Sequence, residues 1–171
     1  VASFQETSAA LEPGESLPDG MFGADIVFCR RIGSKTGKRI EVDHEFRIRD
    51  GKKYRYVNAL VDLSDVPDGE EHQVHLVWIR PDGKDMFRRF GTVELTPTET
   101  GYRKDVVWLD AEDLHDVRVE APVEIETPGF TLSTRLNVRP EKERTPGTYA
   151  LRFYWNRELM LEESFELLPA E

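Results

Sequence analysis

Apolar and polar side chains alternate along most of this chain, and this period of two leaves few folds open to it. In the run 130–138, FTLSTRLNV, the residues Phe130, Leu132 and Leu136 share one side and polar residues alternate with them. Successive side chains of an extended strand point to opposite faces, so such a run predicts a strand with one buried face. No segment shows a convincing long helical period. The sequence therefore predicts an all-β chain.

Turn residues separate about nine or ten runs of this kind, which start roughly 8 to 15 residues apart. Asp50-Gly51 is typical of a hairpin turn and stands between the runs 40–48 and 52–63. The run 72–79 is apolar on both faces at its end, which predicts a central strand. Short strands at this spacing favour an antiparallel sandwich or barrel. We predict the two-sheet sandwich.

The run 40–48 illustrates how a buried face is assigned. Its alternating residues fall into an apolar set with one histidine and a charged set. One face is predicted to carry Ile40, Val42, His44, Phe46 and Ile48.

The first 20 residues differ from the rest of the chain. They contain four acidic residues, no basic residue, two prolines and two glycines. We interpret residues 1–20 as a disordered leader or linker, and residues 21–171 as a single β-sandwich domain. A chain of this length can bury a substantial core.

The net charge of the chain is −10, from 23 basic and 33 acidic residues. This balance argues against wholesale binding to nucleic acid or to anionic lipid. The charge is uneven, because residues 30–55 hold ten Lys or Arg and four acids, whereas residues 110–126 hold seven acids and Arg118. No apolar run approaches the roughly 18 residues that a membrane span needs.

Cys29 is the only cysteine, so an intramolecular disulfide is excluded. It stands in a strand-like run, where a small buried hydrophobe is the expected role.

Three local patterns resemble chemical motifs without meeting their requirements. GSKTGKR at 33–39 has too few residues between its glycines for a phosphate-binding loop. His115 lies in an acidic stretch that matches no cation-binding loop we can name. Glu124 and Glu126 are about 7 Å apart on one strand face, a separation found in glycoside hydrolases, but both are predicted to face water. The sequence predicts no enzyme, no cofactor and no metal.

Tyrosines interleaved with cations are the better candidates for a binding site. Aromatic rings flanked by cations stack on sugars or bases, or anchor a protein partner. The alternative is that these tyrosines cover the second face of a central strand or pair across strands. The predicted binding residues are Tyr54, Tyr56, Arg55, Arg47 and Tyr154.

The closing segment carries a resemblance to a known family. A Pro-Gly-Thr-Tyr turn at 146–149 precedes two alternating runs, and their motif residues are Leu151, Phe153, Trp155, Leu161, Glu163, Phe165 and Leu167. This hairpin resembles the end of bacterial immunoglobulin-like and fibronectin-III-like domains. The resemblance implies an immunoglobulin-like sandwich from an extracytoplasmic bacterial protein. The chain departs from the family because no cysteine pair flanks Trp78 and residues 22–63 supply extra strands.

The sequence thus predicts a non-enzymatic protein-binding or structural module, located outside the cytoplasm. The partner would be another protein, or a glycan, and not nucleic acid. The final strand, 159–167, would offer a free edge to a partner's strand. Two alternatives are a carbohydrate- or small-ligand-binding sandwich that uses Tyr54 and Tyr56, and a glycoside hydrolase that uses Glu124 and Glu126.

Overall fold

The computed structural model describes residues 22–110 and 117–171. Within these ranges the chain forms twelve strands, two short 3₁₀ turns and no α-helix, which confirms the all-β prediction. The predicted leader and the acidic stretch around His115 lie outside the described residues, so the predicted domain boundary stays a prediction. The strands are β1 (Gly23–Ile32), β2 (Arg39–Val42), β3 (Glu45–Arg47), β4 (Tyr56–Ser64), β5 (Glu71–Ile79), β6 (Asp85–Pro97), β7 (Tyr102–Asp110), β8 (Val117–Val119), β9 (Val123–Ile125), β10 (Phe130–Asn137), β11 (Gly147–Trp155) and β12 (Glu158–Leu168).

The strands form two sheets, and neither closes into a barrel. The four-stranded sheet has the order β10-β4-β1-β2. The eight-stranded sheet has the order β3-β12-β11-β5-β6-β7-β8, with β9 also paired to β7. All pairings are antiparallel except that of β12 with β3. The predicted two-sheet, sandwich-like architecture is confirmed.

The core lies between the apolar rows of the two sheets. The predicted inward row of β11 is buried throughout, and the row of β10 follows its predicted alternation. Trp78 on β5 donates a hydrogen bond to Thr134 Oγ1 at 3.2 Å and so ties the sheets together. The central position of β5 is also as predicted, because Val77 and Ile79 are buried on its other face.

The predicted strand 40–48 is wrong, because the chain crosses there from one sheet to the other. Its first part, β2, pairs with β1, whereas β3 pairs in parallel with β12. The predicted shared face is therefore wrong too: Val42 is 57% exposed and His44 is exposed, while Phe46 is buried. Asp50-Gly51 leads into the 3₁₀ turn Lys52–Tyr54 and joins no hairpin.

The alternating run 117–126 likewise forms two strands, β8 and β9, which both pair with β7. Pro122 stands between them, and proline cannot donate a ladder hydrogen bond. Val123 alternates with the exposed Glu124 but is itself 46% exposed. These two breaks raise the strand count from the predicted nine or ten to twelve.

The closing hairpin forms as predicted, with β11 and β12 paired antiparallel. Its two-residue turn is Asn156-Arg157, and both residues have positive φ, 48° and 74°. A turn of this kind matches the twist of its strands. The predicted free edge of β12 is wrong at its end, because β3 pairs with Glu166–Leu168.

A basic end with two tyrosines as the candidate functional site

The registers place four loops at one end of the sandwich. Asn137 of β10 and Tyr56 of β4 are Cα partners, as are Ala150 of β11 and Ile79 of β5. The ends of β1 and β12 lie at this same end, which Arg30 of β1 confirms by its contacts with the loop before β4. The four loops comprise residues 33–38, 48–55, 80–84 and 138–146. We call these loops the basic end.

The basic end is rich in cations. Its loops hold eleven Lys or Arg and four Asp or Glu. The cations are Lys35, Lys38, Arg49, Lys52, Lys53, Arg55, Arg80, Lys84, Arg139, Lys142 and Arg144. The loops at the opposite end, 65–70, 98–101, 126–129 and 156–157, hold five acids and one cation. Among these described loops, cations therefore predominate at one end of the strands and acids at the other.

Four of the five predicted binding residues lie at or beside this end. Tyr54 closes the 3₁₀ turn, Arg55 follows it, and Tyr56 begins β4. Arg47 ends β3 close by. Tyr154 is not among them, because it lies on the outer face of the eight-stranded sheet, opposite His75.

Arg30 holds this segment in place and was missed by the sequence analysis. It is only 3% exposed, and it donates hydrogen bonds to the carbonyl oxygens of Arg47, at 2.6 Å, and Tyr54, at 3.2 Å. Burial lowers the pKa of its guanidinium, and Glu41 opposes this effect from 3.5 Å. Its signal in the sequence was a cation at a position where β1 otherwise turns apolar residues inward.

Each tyrosine ring lies beneath an exposed guanidinium. Arg135 on β10 is 4.1 Å from the ring centre of Tyr56, and Arg49 is 5.4 Å from that of Tyr54. Contacts of this kind hold a guanidinium flat on a ring while its N–H groups face outward. Arg49 and Arg135 are both exposed, so their N–H groups are accessible to a ligand.

Several of these cations have no acidic partner. Arg47 pairs with Glu171 at 3.5 Å. Within the described ranges, by contrast, no carboxylate lies within 4 Å of five cations. These are Arg49, Lys52, Lys53, Arg55 and Arg135. Their charge is free to attract an anion.

A pocket of about 250 Å³ beside Tyr54 is less suited to anions. Arg30, Arg47 and Arg49 line it, but so do Glu41, Asp43 and Glu45. The acids balance the arginines inside the pocket. Lys52, Lys53, Arg55 and Arg135 do not line the pocket and are therefore the stronger anion site.

The other candidate residues lack the surroundings that catalysis requires. Glu124 and Glu126 are exposed, whereas a catalytic acid needs an apolar pocket to raise its pKa. His72 and His75 face opposite sides of β5, as their spacing predicts. No group of three His, Cys, Asp or Glu in the described part of the chain is placed to hold a metal ion. Cys29 is buried, and this burial raises the pKa of its thiol.

Comparison with known proteins finds structural similarity but no matching family. No family model and no curated protein matches the chain. One similar solved structure is the Pseudomonas fluorescens alkylpurine DNA glycosylase AlkC bound to DNA containing an abasic site analog. The TM-score is 0.37 at 12% identity, and the match covers 85% of this chain and 31% of that chain. This chain thus spans less than a third of the glycosylase.

The comparison contradicts the predicted function. The similar structure is an enzyme on DNA, and the prediction was a non-enzymatic protein-binding or structural module with carbohydrate-binding and hydrolase alternatives. We therefore give that prediction up. A similarity at this TM-score assigns no activity to this chain, so function has to be argued from its own surface. In the described ranges no helix is long and apolar enough to cross a membrane.

Proposed function

We propose that this chain is a nucleic-acid-binding module that holds the phosphate backbone at its basic end. The observation that carries the proposal is the group of five cations without acidic partners, set around two tyrosine rings. Arg49, Lys52, Lys53 and Arg135 are exposed, so a ligand reaches them without a rearrangement of the fold.

Phosphate suits this surface better than an isolated anion does. Guanidinium groups bind phosphate oxygens through two parallel hydrogen bonds, and lysines add point charges. Several cations spread over neighbouring loops fit a ligand whose charges repeat along a backbone. Contacts of this type fix the position of a nucleic acid without reading its sequence.

The proposal departs from the expectation that the net charge gave. A net charge of −10 averages over the whole chain, whereas a ligand at the basic end meets a local excess of cations. The loops at the opposite end carry the reverse excess, five acids and one cation. Fields between exposed charges are screened over about 8–10 Å at physiological salt, so the local excess governs binding.

We further propose that the sandwich is immunoglobulin-like. Its orders β1-β4-β10 and β12-β11-β5 correspond to strands A-B-E and G-F-C of that fold. The Tyr149 hydroxyl donates to the Thr145 carbonyl at 2.7 Å, as in the tyrosine corner, and the buried Trp78 lies on the strand equivalent to C. The further strands β3 and β6–β9 account for the larger sheet. That the chain is not itself an enzyme, and where in the cell it acts, stay predictions.

Salt-dependent binding tests the nucleic-acid proposal. Fluorescence anisotropy with a labelled 20-base-pair duplex of mixed sequence would measure affinity between 50 and 200 mM salt. Each lost phosphate contact lowers the slope of log affinity against log salt by about 0.9, so Lys52→Ala/Lys53→Ala should lower it by about 1.8.

The matched control is Arg103→Ala/Lys104→Ala, which removes two adjacent cations from β7. This variant should keep the slope of the unchanged protein. Equal effects of the two variants would show that only total charge matters, and no binding at 50 mM salt would refute the proposal outright.

A further inference from the structure

Three aromatic rings form a row across the outer face of the eight-stranded sheet, away from the basic end's tyrosines. His75 on β5 lies directly opposite Tyr154 on β11 and directly opposite Phe90 on β6. The ring centres of His75 and Phe90 are 4.4 Å apart, and those of His75 and Tyr154 are 6.4 Å apart. All three side chains are half-buried, so each keeps ring surface open to solvent.

The row continues along the same line onto the next two strands. Leu109 of β7 is the partner of Phe90, and Val117 of β8 is the partner of Leu109. Val117 is 48% exposed. An apolar track therefore crosses five neighbouring strands, and strands lie about 4.8 Å apart.

Arginines flank the ring row. The buried Val77 lies on β5 two residues from His75, toward the basic end. Arg88 of β6 and Arg152 of β11 are its partners on the two neighbouring strands. Arg157 lies on the other side of the rings. A pocket of about 280 Å³ is lined by His75, Val77, Asp85, Arg88, Tyr154 and Arg157.

Arg88 and Arg152 each have an acidic partner. Arg88 pairs with Asp85 at 3.0 Å and Arg152 with Glu162 at 2.6 Å. A guanidinium has five N–H donors, so each keeps donors for a phosphate.

The charge state of His75 suits stacking. Burial lowers its pKa, and the neighbouring charges of Arg88 and Arg157 lower it further. The imidazole is therefore neutral at pH 7 and stacks as an uncharged ring.

We infer that this track binds single-stranded nucleic acid, with unpaired bases stacked on the open ring surfaces of Phe90 and Tyr154 while His75 packs between them. Phosphates would contact Arg88 and Arg152, on the side of the track that leads to the basic end. A duplex hides its base faces in its own stack, so the rings select single strands. The inference deepens the proposed function and rests on it only for the backbone contacts.

The experiment compares two labelled oligomers that share a backbone. One is a thymidine 12-mer, and the other is a 12-mer of abasic tetrahydrofuran units. In Phe90→Leu/Tyr154→Leu, which removes the rings but keeps apolar bulk, affinity for the thymidine oligomer should fall at least about fivefold for each ring. Affinity for the abasic oligomer should change less than about twofold.

The control variant is Phe90→Tyr/Tyr154→Phe, which keeps both rings and exchanges their hydroxyl groups. It should bind both oligomers as the unchanged protein does. If the double leucine variant melts early by circular dichroism, Tyr154→Leu alone serves, since this side chain lies on the outer face. Equal losses on both oligomers, or no loss on either, would overturn the inference.

The outcomes for the two proposals are distinguishable. Lys52→Ala/Lys53→Ala should lower the affinity for both oligomers by the same factor if the basic end holds the backbone. If that variant keeps both affinities while the ring variant loses affinity only for the thymidine oligomer, the proposed role of the basic end fails and the ring site stands. If the unchanged protein binds both oligomers equally, the ring site fails and the basic end stands.

Discussion

Arg30 occupies an inward-facing position of β1. The preceding inward-facing positions hold the apolar residues Ile26 and Phe28. Its hydrogen bonds join the end of β3 to the segment before β4, and its guanidinium lies 5.3 Å from the ring centre of Phe46. Replacing a buried ion pair by apolar residues is often harmless, but here the partners include two backbone carbonyls that would lose their donor. Arg30 is thus a positioning residue for the tyrosine segment.

Arg30→Met should therefore destabilise the fold by about 2–3 kcal/mol, the usual loss for hydrogen bonds to a charged group. Arg30→Lys should recover only part of this, because one ammonium replaces a planar group that reaches two carbonyls. Urea unfolding measures both. A methionine variant as stable as the unchanged protein would contradict the assigned role.

Asp62 gives a pH-dependent prediction. The Arg39 guanidinium bonds both of its carboxylate oxygens, at 2.6 and 2.7 Å, and with the Thr131 hydroxyl it lowers the pKa of Asp62 below the usual 3.8. A lowered pKa in the folded state adds stability above the unfolded pKa, and this stability is lost as pH falls through the folded value. Asp62→Asn should cost about 1 kcal/mol at pH 7, since the pair is partly exposed. Its deficit should shrink as unfolding is measured at successive pH values below about 3.8; a deficit independent of pH would contradict this account.

At the scale of elements, the contact of β6 with β7 depends on a glycine. Gly91 lies opposite Trp108, and a Cβ on Gly91 would come within 2.5 Å of the Val107 carbonyl oxygen and 2.7 Å of the Trp108 ring. Arg89 closes the other side, with its guanidinium 3.9 Å from the ring centre. The tryptophan therefore has little room to move.

Gly91→Ala should destabilise the protein by about 1–3 kcal/mol through overpacking. Thr92→Ala, the neighbouring residue on the outer face, should change stability by less than about 0.5 kcal/mol. Thermal unfolding followed by circular dichroism compares them. Equal midpoints would show that the two strands separate easily to admit a methyl group.

The elements that the sequence predicted well are those whose period of two runs unbroken, such as β10 and β11. Their burial follows from local alternation alone. The segment 40–48 has the same local pattern, but β3 pairs with β12, which is about 120 residues away. Nothing within the segment encodes that partner. The alternation of Tyr54 and Tyr56 with cations likewise predicted part of the site, whereas Arg135 joined it only through the register of β10 with β4.

At the scale of the whole molecule, loops that are far apart in sequence converge to separate the charge. The count of charged residues over 30–55 detected half of the basic end, because that range includes two of its four loops. The loops 80–84 and 138–146 could be added only after the strand registers were known. The ring row is also a product of pairing, since Phe90, His75 and Tyr154 come from three separate runs.

The charge separation predicts an unusual behaviour in chromatography. At pH 7.5 and low salt, the protein should be retained on a heparin column despite its net charge of −10. Lys52→Ala/Lys53→Ala should elute at lower salt, and Arg103→Ala/Lys104→Ala should elute with the unchanged protein. Flow-through of the unchanged protein would contradict an accessible basic end.

The excess of cations in the loops at one end and of acids in the described loops at the other contributes a dipole moment along the strands. The field of a nucleic acid would exert a torque on this dipole before any contact forms, so that the basic end arrives first and the acidic end points away. Added salt would weaken the torque. It would lower the association rate more than it raises the dissociation rate. In stopped-flow measurements, ionic strength should therefore act mainly on the association rate.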